Sequence, residues 1–135
     1  MPTARIGDIN VYYETYGEGQ PLLLIAGLGA DLTGWILQIP EFSRKYRVIV
    51  FDSRGSGRTD APDMPYSIEM LADDTAGLLD ALGVEKAHIL GLSMGGCIAQ
   101  ELALKYPQRV KGLILAATLA RLPIPGRSMS LRHCP

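Results

Sequence analysis

The sequence has little of what would place it in a specialised class of protein. Its two cysteines, Cys97 and Cys134, are too few for the disulfide framework of a small secreted domain and lack metal-ligand spacing. We therefore expect buried or free thiols in a reducing compartment. No apolar run approaches the ~18 residues of a membrane-spanning helix, and the N-terminus lacks the apolar segment of a signal peptide. These absences predict a cytoplasmic protein with no membrane partner, or a protein whose targeting signal lies outside this chain.

The sequence also lacks a large excess of charge of one sign, because its net charge is only −1. Such a balance gives no general attraction to nucleic acid or anionic lipid. All 14 Asp and Glu lie at or before Glu101, whereas the following 34 residues hold six Lys and Arg and no acid. These cations are thinly spread, so a solvated surface is favoured over a nucleic-acid or membrane site.

The pattern of apolar residues predicts an α/β fold. Residues 9–15 alternate as a half-buried antiparallel strand does, and Gly7 and Asp8 form a hairpin turn before them. Four continuous apolar runs are typical of strands covered on both faces, and they lie at residues 22–26, 48–51, 88–90 and 113–116.

Helical patterns separate these four runs, at residues 32–43 with an interruption at Pro40, from Ser67 to Gly83, and at residues 94–106. Strands that alternate with helices predict a mostly parallel sheet with helices on both faces. We assign residues 1–118 to this core and residues 119–135 to an irregular basic tail.

The pentapeptide GLSMG at residues 91–95 has the form G-x-S-x-G. A predicted strand ends immediately before it and a predicted helix begins immediately after it, which is the setting of a nucleophile elbow. The turn is too tight for side chains two residues either side of the serine. An ordinary glycine-rich turn is the alternative, but the flanking elements and Gly96 favour Ser93 as a nucleophile.

Acyl transfer at a serine also needs donors for the oxyanion that forms. The backbone N–H of Met94 is one candidate, because it lies at the start of the predicted helix. The second is the backbone N–H of Leu28, in the glycine-rich loop after the first parallel strand. This loop lacks the P-loop lysine and the full G-x-G-x-x-G pattern, so nucleotide binding is not expected. We predict no cofactor and no metal.

Four motifs stand in the order and spacing of the α/β-hydrolase superfamily, which the chain resembles: residues 24–29, Trp35, residues 51–59 and residues 91–96. Residues 66–82 are similar to the branch that contains 3-oxoadipate enol-lactonases and small esterases. The resemblance covers about residues 1–118. It implies Ser93 as nucleophile, Leu28 and Met94 as the oxyanion hole, and a carboxylic ester or lactone as substrate. Haloperoxidases and C–C hydrolases share these motifs, so the fold is specified more closely than the substrate. Asp52 and Arg54 could serve as an acid and a cation, but the resemblance favours a structural corner.

The same family places an acid and then a histidine after the nucleophile. Glu101 is the only later acid, and it would lie about 12 Å along the helix from Ser93 at 1.5 Å per residue. His88 precedes Ser93 on one strand, roughly 16 Å away towards the opposite edge of the sheet. His133 lies in the tail, within reach but with no acid to orient it. The family normally continues into a cap, further strands and a last helix, so we expect an N-terminal half that lacks them.

Two functions remain open. One is a serine hydrolase that acts on esters or lactones through an acyl-enzyme, with a base from His133, from a second subunit or from residues beyond this chain. The other is a catalytically incompetent fragment that keeps the fold and binds small acyl ligands. In either case we expect an exposed apolar edge strand between Leu113 and Ala116, which favours a homo-oligomer through pairing with another copy.

Overall fold

The computed structural model describes residues 3–26, 32–54, 57, 59 and 67–116. The described strands are β1 (Thr3–Ile6), β2 (Ile9–Tyr16), β3 (Gln20–Ile25), β4 (Tyr46–Phe51), β5 (Ala87–Leu92) and β6 (Val110–Ala116). They form one sheet in the order β1-β2-β4-β3-β5-β6. β2 pairs antiparallel with β1 and with β4, whereas β4, β3, β5 and β6 are parallel. The predicted α/β class, with an antiparallel N-terminal hairpin, is therefore confirmed.

Three of the four continuous apolar runs form β3, β4 and β5 in the middle of the sheet, where both faces are covered, whereas the fourth forms the edge strand β6. Successive side chains of a strand point to opposite faces, so one run supplies two separate cores. One core lies under the two long helices and includes Leu23, Ile25, Ile49, Phe51 and Ile89. The other lies on the opposite face and includes Leu22, Leu24, Trp35, Val48 and Val50.

Two long helices, α2 (Ile68–Ala81) and α3 (Met94–Lys105), follow their predicted bounds. Ser67 caps α2, because its hydroxyl accepts a 3.1 Å hydrogen bond from the Met70 N–H. Pro107 follows the end of α3 in a short 3-10 turn. The two helices pack against each other and against the same face of the sheet.

The first predicted helix takes a different form. A 3-10 turn at Leu32–Trp35 is followed by α1 (Ile39–Phe42), a single turn of α-helix. Pro40 does not interrupt a helix but lies in the first turn of α1. The reason is that a first-turn residue has no intrahelical acceptor for its N–H, so proline is tolerated there.

The last described strand is an exposed edge of the sheet, as predicted. Within the described ranges β6 pairs with β5 alone. Three consecutive apolar side chains remain accessible, with exposed fractions of 39% for Leu113, 53% for Ile114 and 41% for Leu115. The tail assigned to residues 119–135 lies outside the described residues.

Cys97 lies on the core-facing side of α3 with 2% of its surface exposed, and it is disulfide-bonded. The expectation of a buried residue is confirmed, but the expectation of a free thiol is wrong for Cys97. In the described part of the chain, no helix has the length and apolar character needed to cross a membrane.

Candidate active site

Ser93 lies at the junction between β5 and α3, at the carboxyl end of the parallel strands. Its φ and ψ are 58° and −123°, and it is the one residue other than glycine with positive φ among those described. A β-carbon makes this backbone region unfavourable, so the surrounding structure must hold the serine there. The residue is exposed. This strained, accessible serine is the geometry that the G-x-S-x-G pattern predicted.

The glycines of the motif are required by close backbone contacts. A β-carbon at Gly91 would lie 2.5 Å from the carbonyl oxygen of Gly95, on the far side of the turn. A β-carbon at Gly95 would lie 2.1 Å from the carbonyl oxygen of Ile25, at the end of β3. The absence of a side chain at Gly91 allows the tight turn of the elbow. The absence of a side chain at Gly95 allows the start of α3 to pack closely against β3.

Hydrogen bonds fix the backbone of Ser93, whereas its side chain does not cap the helix. The Ser93 N–H donates to the Ala116 carbonyl at 2.9 Å, and the Ser93 carbonyl accepts from the Gly96 N–H at 2.9 Å. Ser93 occupies the N-cap position of α3 without a side-chain capping bond. The hydroxyl is therefore not committed to stabilising the helix start.

The two candidate oxyanion donors are described in part. Met94 is the first residue of α3, and the N–H groups of a first helical turn have no intrahelical acceptor. Its N–H therefore lies next to Ser93 at the positive end of the helix dipole. Leu28 lies outside the described residues. The loop that carries it follows Ile25, whose carbonyl contacts the elbow at Gly95.

The structure does not bring an acid and a histidine to Ser93 among the residues it describes. His88 lies at the amino end of β5, five residues from Ser93. There its Nε2 is 2.9 Å from Gln20 Oε1, and its ring contacts Tyr46 edge-on. Glu101 lies two turns along α3, and His133 lies outside the described residues.

The buried polar corner after β4 has structural partners. Arg54 Nε and an Nη donate to the two carboxylate oxygens of Asp74 on α2, at 2.8 and 2.9 Å. The same guanidinium donates a 3.1 Å hydrogen bond to the carboxylate of Asp8, which lies in the turn between β1 and β2. These carboxylates raise the pKa of Arg54, and Arg54 lowers the pKa of Asp8. Arg54 therefore joins the hairpin, the corner and α2, which supports the structural interpretation.

The Asp52 backbone belongs to the same corner. Its carbonyl accepts from the Thr59 hydroxyl at 2.5 Å, and its N–H donates to the Tyr12 carbonyl at 3.0 Å. The Asp52 carboxylate lies so close to Gly57 that a β-carbon there would be 2.2 Å from Oδ2. In the described ranges no cluster of three or more His, Cys, Asp or Glu could hold a metal ion.

Sequence reasoning missed the acceptor that anchors the Ser93 backbone. The carbonyl of Ala116 comes from a strand more than 20 residues later, and a backbone acceptor leaves no mark on side-chain identity. The only sequence signal for this acceptor is the end of the apolar run at residues 113–116. The end of that run determines which residue of β6 lies next to Ser93. The pairing of Arg54 with Asp74 was also missed, although an acid on the apolar side of a helix was a visible signal.

The strand order, the parallel core and a strained serine between β5 and α3 define a protein of the α/β type with the backbone geometry expected of a nucleophile elbow. The chain belongs to the alpha/beta hydrolase fold family, whose model matches residues 20–134. The resemblance inferred from the motifs is confirmed.

Similarities to individual proteins support this family assignment. RutD of Azorhizobium caulinodans, provisionally named as a carbamate hydrolase, is 44% identical over 121 residues, which cover 90% of this chain and 46% of that protein. 3-Oxoadipate enol-lactonase 2 of Acinetobacter baylyi is 39% identical over 122 residues, covering 89% and 46%. The enol-lactonase structure from Burkholderia xenovorans LB400 matches with a TM-score of 0.86 at 36% identity, covering 89% of this chain and 48% of that one. The chain spans about half the length of the curated relatives it matches.

Proposed function

We propose that the chain supplies the nucleophile of a serine hydrolase that acts on carboxylic esters or lactones. The observation that carries this proposal is the backbone of Ser93, held at positive φ in an exposed elbow with no side-chain capping bond. Strain at a single non-glycine residue is expected where function requires it. The similarity to an enol-lactonase supports a lactone or ester as the substrate.

The proposed reaction has two steps: the first forms an acyl-enzyme, and the second hydrolyses it. Ser93 Oγ forms a bond to the carbonyl carbon, and its proton passes through a base to the departing alkoxide oxygen. The oxyanion accepts hydrogen bonds from the Met94 N–H and, by the family resemblance, from the Leu28 N–H. Water then attacks the Ser93 ester, releases a carboxylic acid and returns the proton to Ser93.

The residue that accepts the proton of Ser93 is not assigned in this mechanism. Neither His88 nor Glu101 is placed to take the proton from Ser93, because one lies at the far end of β5 and the other along α3. His133 is the remaining histidine of the sequence. This arrangement favours a second candidate function, in which the chain alone binds small acyl ligands without turning them over.

A fluorophosphonate probe separates the two functions, because it labels only an activated serine hydroxyl. We expect labelling of the wild-type chain and none of Ser93→Ala. Ser43→Ala is the matched control, since the Ser43 hydroxyl bonds the Pro40 carbonyl far from the elbow. Absence of labelling in wild type would favour the binding function.

Hydrolysis of p-nitrophenyl butyrate then tests whether His133 acts as the base. If His133 takes the proton, His133→Ala and Ser93→Ala both abolish turnover. A rate that is unchanged in Ser93→Ala would remove the hydrolase function for this chain.

A further inference from the structure

A cavity lies at the opposite end of the sheet from Ser93. Its volume is about 680 Å³, and the described residues that line it are Glu41, Phe42, Arg44, Lys45 and Tyr46. They come from the end of α1, the loop that follows it and the first residue of β4. Ser93 follows the carboxyl end of β5, whereas Tyr46 begins the parallel strand β4, so about 20 Å of strand separates the two places. The cavity is therefore not part of the candidate active site.

The loop that carries Lys45 packs against the turn between β2 and β3. A β-carbon at Gly17 would clash with the carbonyl oxygen of Ser43, and one at Gly19 would lie 2.6 Å from that of Lys45. Both glycines have positive φ, of 81° and 120°. The Lys45 N–H also donates to the Phe42 carbonyl at 3.2 Å. These contacts hold the backbone of the loop in place without a ligand, which lowers the entropic cost of binding one.

The apolar part of the cavity wall is aromatic. Phe42 and Tyr46 are half-buried and pack against the core that contains Trp35 and Val48. The Tyr46 ring also contacts the His88 ring edge-on, with the ring centroids 5.9 Å apart. Aromatic rings attract one another in offset or edge-to-face arrangements, because the face and the edge of a ring carry opposite partial charges. This wall therefore favours a flat, unsaturated ligand.

The polar part of the wall holds two cations and one carboxylate. Arg44 and Lys45 are exposed, and Lys45 makes no ion pair within the described ranges. Arg44 Nη1 is 3.5 Å from Glu41 Oε2, in a pair whose side chains are about three-quarters exposed. Solvent screens such a pair, so it holds Arg44 only weakly. The other N–H donors of Arg44 and the ammonium group of Lys45 can therefore bind one carboxylate.

We propose that this cavity binds a small aromatic monocarboxylate of one or two rings, at a site separate from the candidate nucleophile. The rings pack against Phe42 and Tyr46, and the carboxylate pairs with Lys45 and Arg44. Glu41 lies on the same wall and repels a second negative charge, so dicarboxylates and phosphate dianions are disfavoured. A volume of about 680 Å³ is in the range of small-molecule sites. The proposal does not depend on the hydrolase function.

The probe is 2-naphthoate, and equilibrium dialysis measures its binding to the full chain. We expect saturable binding at one site per chain. Three comparison ligands separate the contributions: 2-naphthamide keeps the rings without the charge, acetate keeps the charge without the rings, and 2,6-naphthalenedicarboxylate adds a second charge. Each should bind about tenfold more weakly or worse, because each lacks a favourable contact or adds a repulsive one.

Substitutions then locate the bound probe. Lys45→Met should weaken naphthoate binding by about tenfold, because it removes a charge-assisted hydrogen bond. Glu41→Gln should strengthen binding, because it removes the repelling charge and releases Arg44. Lys86→Met is the matched control, since Lys86 is an exposed lysine directly before β5 that does not line the cavity. The three substituted side chains are exposed, and circular dichroism verifies that each variant is folded.

A weaker affinity in Lys45→Met, a stronger one in Glu41→Gln and an unchanged one in Lys86→Met would together support the site. Binding of 2-naphthoate that does not saturate would overturn it. Equal weakening by Lys45→Met and Lys86→Met would also overturn it, because it would show only a general attraction of anions. Saturable binding that neither Lys45→Met nor Glu41→Gln alters would place the probe elsewhere on the chain and would refute the proposal.

Discussion

The backbone N–H of Ser93 donates a 2.9 Å hydrogen bond to the carbonyl of Ala116, the last described residue of the edge strand β6. The candidate nucleophile is thus held by the strand that is least covered by the rest of the described fold. Any change that displaces the end of β6 should also move Ser93.

Replacing Gly95 by alanine should destabilise the fold. The new β-carbon would lie 2.1 Å from the Ile25 carbonyl oxygen, and neither backbone can move without disturbing the sheet. We expect the free energy of unfolding in urea to fall by about 1–3 kcal/mol. Gly34→Ala is the control, because a β-carbon there meets nothing within 4 Å. Equal stability of Gly95→Ala and wild type would contradict the close approach of α3 to β3.

Removing the Arg54 side chain should be far more costly than removing a surface arginine. Arg54 is 6% exposed and bonds both oxygens of Asp74, so Arg54→Met leaves a nearly buried carboxylate without its partner. The expected loss is about 3–5 kcal/mol of unfolding free energy. Arg44→Met also breaks an ion pair, with Glu41, but both side chains are about three-quarters exposed. Its effect should be below about 1 kcal/mol, and similar losses in the two variants would refute the structural role of Arg54.

Asp8 should make a small contribution to stability that depends on pH. The hydrogen bond from Arg54 lowers the pKa of Asp8 below its ordinary 3.8, so the folded state favours the carboxylate. Its contribution is therefore present above that value and is lost as the pH falls through the lowered pKa. Wild type should be slightly more stable than Asp8→Asn at neutral pH, and the difference should vanish in acid. Urea unfolding of wild type and Asp8→Asn at neutral and at acid pH measures this difference.

We propose that two copies of the chain associate through β6. The mostly apolar edge favours strand pairing, and antiparallel pairing about a two-fold axis closes the assembly. With the axis at Leu113, Lys111 would face Leu115 rather than another lysine. Ile114→Lys should then shift the species in light scattering towards monomer. Leu104→Lys, at an exposed site on α3, should not, and a monomeric wild type at micromolar concentration would exclude the pairing.

Such a dimer would not complete the active site. In antiparallel pairing the two Ser93 elbows lie at opposite ends of the joined strands, about 20 Å apart along a seven-residue strand. The association prediction and the hydrolase proposal are therefore independent of each other.

Local patterns were sufficient for most of the elements. The apolar runs, the Ser67 cap and the stop at Pro107 each act within a few residues, so the strands of the core, α2 and α3 were predicted. The segment around Pro40 was not, because a proline can lie in the first turn of a helix or interrupt one, and the local pattern does not distinguish these two cases. The free thiol expected at Cys97 was wrong for a related reason, since cysteine pairing depends on distant parts of the chain.

The sequence by itself determined that a serine stands between glycines at a strand-to-helix junction, because turn chemistry and periodicity are local properties. The tertiary structure decided what holds that serine in place. The Ile25 carbonyl excludes any side chain at Gly95, and the Ala116 carbonyl accepts the Ser93 N–H. Both acceptors are backbone atoms of neighbouring strands, so their positions follow from the order of strands in the sheet.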